Sequence, residues 1–136
     1  PGRVYLQTYM PEHAVMRALA SGDAERFIAS EADARKEFGL PPFGRLAALI
    51  VSGENERSVR ATAQALGRAT PRGSGIEALG PAPAPLALLR GRHRQRLLLK
   101  TPRSVNVQSV VRKWIAQVSV PGGVRLQIDI DPYSFL

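Results

Sequence analysis

Arg45-Leu46-Ala47-Ala48-Leu49-Ile50-Val51-Ser52 is a short apolar run with Pro41-Pro42 before it and Gly53 directly after it. A run of this length between such breakers reads as a buried strand. Downstream, Asn55 to about Ala69 reads as a helix with Val59, Ala63 and Leu66 turned inward. Gly75 to Gly80 is a short strand, and Pro81 to Gly91 is a loop with Pro81, Pro83 and Pro85 at alternate positions. Arg92 to Lys100 is the next strand. Val107, Val110, Val111, Trp114, Ile115 and Val118 then recur at helical spacing, which gives a second helix one apolar face. Asn106 is placed to cap this helix, with Val105 and Val110 as a hydrophobic staple. Pro121-Gly122-Gly123 turns the chain, and Val124 to Ile130 alternates as a last strand. The order is β-α-β-β-α-β. That is the split-βαβ arrangement of a ferredoxin-like α+β domain, four antiparallel strands with two helices on one face.

Upstream of Pro41-Pro42 the pattern changes. Arg3 to Tyr9 alternates loosely and reads as a strand. Pro11 and Glu12 suit the first turn of a helix, Val15, Ala18 and Leu19 give it a short stripe, and it ends near Gly22. Asp23 is the N-cap of a second helix, which carries Phe27, Ile28 and Phe38 among many charges and stops at Gly39. Neither proline can donate to a ladder, and each pushes the residue before it out of helix. The expected division is therefore between residues 1–41 and residues 42–136.

The 136 residues are 44% hydrophobic and 22% charged, a globular balance. With no Cys, disulfides and thiolate metal sites are excluded, and two distant His residues make no metal site. No apolar stretch approaches the roughly 20 residues of a membrane span. The N-terminus carries neither a signal pattern nor an initiating Met, as expected of a cytoplasmic protein and of a piece of a longer chain. The net charge of +8 has two readings, a polyanionic partner or a solvated basic surface.

Distribution favours the first, although a solvated sheet face would give the same pattern. Arg90, Arg92, Arg94, Arg96, Lys100 and Arg103 crowd into one stretch. Side chains alternate along a strand, so Arg92, Arg94, Arg96 and Lys100 share one side, and Gln95, Leu97 and Leu99 take the other. Such a comb repels itself unless anions neutralise it, which favours a stripe that tracks phosphates. Within the run only His93 could stack on a base, so backbone binding without sequence preference is expected.

A second candidate lies between Thr101 and Gln108. A helix N-terminus offers unpaired N–H groups and partial positive charge, with Lys100 and Arg103 beside it. The segment could capture a carboxylate such as a peptide C-terminus, or could simply cap the helix. Enzyme readings fare worse. No G-x-x-x-x-G-K-[ST] loop is present to hold ATP. Asp129 and Asp131 read as a solvated strand end rather than an acid–base pair, and His13 as a surface or interface residue. Small phosphatases of ferredoxin-like fold need an anion-cradling loop with a positioned Arg and Asn, and Ser52-Gly53-Glu54-Asn55 is acidic and lacks the Arg. No catalytic residue is assigned.

The same residues carry a family resemblance. Gly2-Arg3-Val4-Tyr5-Leu6-Gln7-Thr8-Tyr9-Met10-Pro11-Glu12-His13, Leu40-Pro41-Pro42-Phe43, Leu79 to Pro85, Arg90 to Lys100 and Asp129-Ile130-Asp131-Pro132 occur in this order along the whole chain. Each motif is weak alone, and the ordered set resembles the C-terminal portion of the PriA (primosomal protein N′) family of replication-restart helicases. The resemblance implies an ATP-dependent 3′–5′ DNA helicase as parent, whose nucleotide site with ATP and Mg and whose zinc-binding cysteines lie upstream. It implies that residues 1–41 trail the second helicase lobe, and that the C-terminal domain contacts DNA at forks in the nucleoid. It also implies other primosome proteins as partners, and a pocket for the acidic C-terminal tail of single-stranded DNA-binding protein, mapped here to Arg103, Ser104 and Gln108. Four positions depart from the family pattern. Met10 replaces the usual Asn and removes a helix cap worth about 1 kcal/mol. His93 and Gln95 stand where relatives often carry aromatics, and Ser104 where relatives can be basic.

Overall fold

The computed structural model describes residues 2–133. Two helices, α1 (Ala14–Ser21) and α2 (Ala24–Glu37), precede β1 (Gly44–Gly53), α3 (Glu56–Arg68), β2 (Glu77–Leu89), β3 (Arg92–Pro102), α4 (Val107–Ile115) and β4 (Val124–Ile130). The strands form one antiparallel sheet in the order β2-β3-β1-β4. This is the ferredoxin-like order, in which β3 lies between the two strands that α3 connects.

The helices begin where side-chain oxygens can satisfy their first N–H groups. Asn55 accepts from the Ser58 N–H and Asn106 from the Ser109 N–H, each at 2.9 Å. The apolar faces of α3 and α4 then close on the sheet. Ala47, Leu49 and Val51 of β1, Leu97 and Leu99 of β3, Val59, Ala63 and Leu66 of α3, and Val107, Val111 and Trp114 of α4 form one buried core. Trp114 is fully buried, and its indole N–H donates to the Leu66 carbonyl at 3.0 Å, fastening one helix to the other.

Three sequence expectations are corrected. Residues 3–9 form no strand. Val4, Tyr5, Leu6 and Tyr9 are all exposed, and among the described residues no neighbouring strand takes up their backbone groups. Alternation alone does not make a strand, because an extended segment needs a partner for its N–H and C=O groups.

The second correction concerns Pro81–Gly91, which is not a loop. It continues β2 to Leu89. The strand lies at the sheet edge, where a proline facing outward costs no ladder bond. The register shifts between Leu79 and Ala82 and again between Pro83 and Leu88. Gly80 sits at the first shift with φ 100°, and a Cβ there would come within 2.7 Å of the Arg96 carbonyl oxygen. The hairpin into β3 turns at Arg90-Gly91, both with positive φ, as a two-residue type I′ connection requires.

The third is the start of α1. His13, not a residue near Pro11, is its N-cap, with Nδ1 accepting from the Val15 N–H at 3.3 Å. Its exposed position fits a surface residue. Neither α1 nor α2 buries a residue fully. Among the described residues no helix is long and apolar enough to cross a membrane.

Candidate nucleic-acid interface

Residues paired across antiparallel strands project to the same face of a sheet. Leu97 pairs with Leu49 and Leu99 with Ala47, and all four belong to the core under the helices. The unbroken β1–β3 register from Gly44–Pro102 to Gly53–His93 therefore sends Arg94, Arg96, Leu98 and Lys100 to the opposite face. Arg92 follows by the same alternation. Neither α3 nor α4 packs on this side. The four cations named from sequence are thus brought together on the open face, and His93 and Gln95 go with Leu97 to the other. Arg90 is exposed in the hairpin turn beyond the strand.

The row is not uniformly charged. The Lys100 ammonium lies 2.6 Å from the Glu77 carboxylate. Arg92 approaches Glu54 only to 3.8 Å, and Arg94 donates to the Pro85 carbonyl at 3.2 Å. Exposed pairs of this kind contribute about 0–1 kcal/mol, but a neutralised cation attracts a polyanion less. The charge is therefore concentrated toward the Arg92 end. Sequence reading did not pick out Arg125, an exposed residue at the start of β4. It pairs with Ser52, the residue that Arg94 meets from the other side. Only the strand order makes Arg125 a neighbour of this row, so local pattern gave no signal for it.

The second candidate group sits elsewhere. Arg103 is exposed between β3 and α4, and one of its N–H groups donates to the Pro42 carbonyl at 3.4 Å. Ser104 and Gln108 are exposed at and just before the first turn of α4. The helix N–H at Ser109 is already taken by Asn106. Arg103 also lines a cleft of about 810 Å³ with Arg35, Arg45 and Asp131. Within it Asp131 is committed to structure. Its carboxylate accepts from Arg45 Nε at 2.6 Å and from the Leu46 N–H at 2.9 Å. Among the described residues no group of three or more His, Cys, Asp or Glu gathers to hold a metal.

Against known proteins, a family model described as the primosomal protein N C-terminal domain matches residues 36–133. Curated relatives named replication restart protein PriA match nearly the whole chain. The protein from Rickettsia felis is 36% identical over 134 residues, which are 98% of this chain and 20% of the relative. That from Synechocystis sp. is 38% identical over 138 residues, covering 98% of this chain and 16% of the relative. That from Bacillus subtilis is 27% identical over 141 residues, covering 100% of this chain and 18% of the relative. The chain spans about a fifth or less of the length of these relatives. The order of motifs along the sequence, the split-βαβ sheet and the family match agree, and the chain belongs to the primosomal protein N C-terminal domain family.

Proposed function

We propose that this chain is the C-terminal part of a replication-restart DNA helicase, and that it holds DNA at forks through the open face of its sheet. The reading divides it into residues 1–41, trailing a helicase lobe, and residues 42–136, the binding domain. The chain itself performs no ATPase step and needs no cofactor; ATP, Mg and zinc belong to the parent protein. The observation that carries the proposal is the alignment of Arg92, Arg94 and Arg96 on the face that α3 and α4 leave bare. Successive side chains on one face of a strand lie about 6.6 Å apart, a spacing suited to phosphates of an extended strand. Arginine forks favour phosphate oxygens. His93 and Gln95 point away from the arginines, so the contact is to backbone, without stacking and without sequence preference.

Binding of a labelled single-stranded oligonucleotide at low salt tests this. Replacing Arg92, Arg94 and Arg96 together by Ala should weaken it on the order of tenfold or more. Unchanged affinity in a variant with native circular dichroism would remove the arginine row from the account.

A second contact is favoured by Arg103, which lines a cleft together with Arg35 and Arg45. There we propose that Arg103, with Ser104 and Gln108, receives the acidic C-terminal tail of single-stranded DNA-binding protein. Charge-assisted bonds of this kind contribute about 1.5–3 kcal/mol. Arg103→Ala should therefore weaken a tail peptide roughly tenfold or more and leave DNA affinity nearly intact. Equal loss of both ligands would mean that the two sites are one.

A further inference from the structure

The open face is charged unevenly, and the unevenness has a direction. Resting on the DNA-binding reading above, we infer that single-stranded DNA does not run the length of β3 but turns across the sheet from the Arg92–Arg96 segment to Arg125 on β4, leaving Lys100 outside the track.

Strand pairing supplies the path. Ser52 of β1 is partnered by Arg94 on one side and by Arg125 on the other, so the three form one transverse row. Neighbouring strands lie about 4.8 Å apart, which puts the two arginine Cα atoms roughly 10 Å from each other. The residue between them, Ser52, is small, and the Arg94 guanidinium, which donates to Pro85 on β2, would swing from that carbonyl toward β4 to meet the same strand of DNA. In the next row Ile50 lies between Arg96 and Gln127, neither of which repels a phosphate. Arg92 and Arg125 also line one recess of about 460 Å³ at the end of the sheet, together with Glu54, Asn55 and Ser58. The two ends of the proposed turn thus share one surface.

Charge supplies the limit. Near this recess lie Arg92, Arg94 and Arg125, and among the described residues the carboxylate paired with them is Glu54, 3.8 Å from Arg92. The other end holds Lys100 against Glu77 at 2.6 Å, and the exposed Asp129, in the row of Ala48 and Leu98, stands between that end and the Arg96 row. A polyanion gains nothing by entering that end. Arg125 forms no ion pair or side-chain hydrogen bond among the described residues, so its charge meets an incoming phosphate without first breaking a contact.

The experiment compares salt dependence of binding to a homopolymeric single-stranded DNA for the 136-residue chain and four variants. Each cation that meets a single-strand phosphate contributes about 0.7 to the slope of log affinity on log salt. Arg125→Ala should flatten the slope by about that amount and weaken low-salt binding severalfold; Lys100→Ala should leave both within experimental scatter. Arg125→Lys should restore the slope, because it restores the charge. The track is overturned if Arg125→Ala binds as the parent does, if Lys100→Ala loses as much as Arg125→Ala, or if Arg125→Lys fails to recover. An Arg94→Ala/Arg96→Ala variant separates this from the underlying reading. Should that variant also bind normally, the open face is not a DNA surface at all; should it lose binding while Arg125→Ala does not, only the turn toward β4 falls.

Discussion

Asp131 shows how much one residue can hold at the end of a strand. Its carboxylate receives Arg45 Nε at 2.6 Å and the Leu46 N–H at 2.9 Å, and its own N–H donates to the Leu46 carbonyl at 2.7 Å. The backbone there has φ 48°, a left-handed conformation that Asp and Asn tolerate better than most residues. Asp131→Ala therefore gives up two side-chain contacts and strains the turn, and should cost about 1–3 kcal/mol in urea unfolding. Asp131→Asn keeps an acceptor and the tolerated φ, and should cost less than about 1 kcal/mol. Equal losses for the two would show that the charge on Arg45, rather than the turn, is what Asp131 serves. The Asp-Ile-Asp-Pro ending was legible as a strand terminus, but its partner was not. Arg45 lies 86 residues away, and no local pattern connects them.

At the level of elements, the best-marked helix in the sequence packs on the face its spacing marks. The apolar positions of α4 put Val107, Val111 and Trp114 into the core, and Val118, past the helix end, still packs against it. Trp114→Phe removes the indole donor to Leu66 and leaves a void in a dense interior. It should lower unfolding free energy by about 2–3 kcal/mol, read from the shift of the urea midpoint at unchanged slope. A loss under about 1 kcal/mol would mean that the core collapses around the smaller ring. Elements whose signal is burial were readable for this reason: the apolar run of β1 and the apolar faces of α3 and α4 end in the core, and alternate residues of β4 pack against it. The elements misread are those settled by neighbours. Residues 3–9 alternate yet have no strand beside them among the described residues, and β2 takes three prolines because an edge strand bonds on one side only.

Across the whole molecule, a net charge of +8 does not by itself separate a polyanionic partner from a solvated basic surface. The fold turns that number into a surface. Because β3 runs without a bulge against β1, alternation read from sequence correctly put Arg92, Arg94, Arg96 and Lys100 on one side. Because β4 joins the far side of β1, Arg125 enters the same face, and because Glu77 lies opposite Lys100, one end of the row is neutralised. Pairing partners that arrive from distant sequence could not be read in advance. The claim on which the account turns is that the arginines of this open face meet phosphates. The most direct test is the slope of log affinity for single-stranded DNA against log salt. Four arginines on phosphates give a slope of roughly −3 for the native chain, and no steeper than roughly −1 once Arg92, Arg94 and Arg96 are Ala. The same slope for both proteins would contradict it.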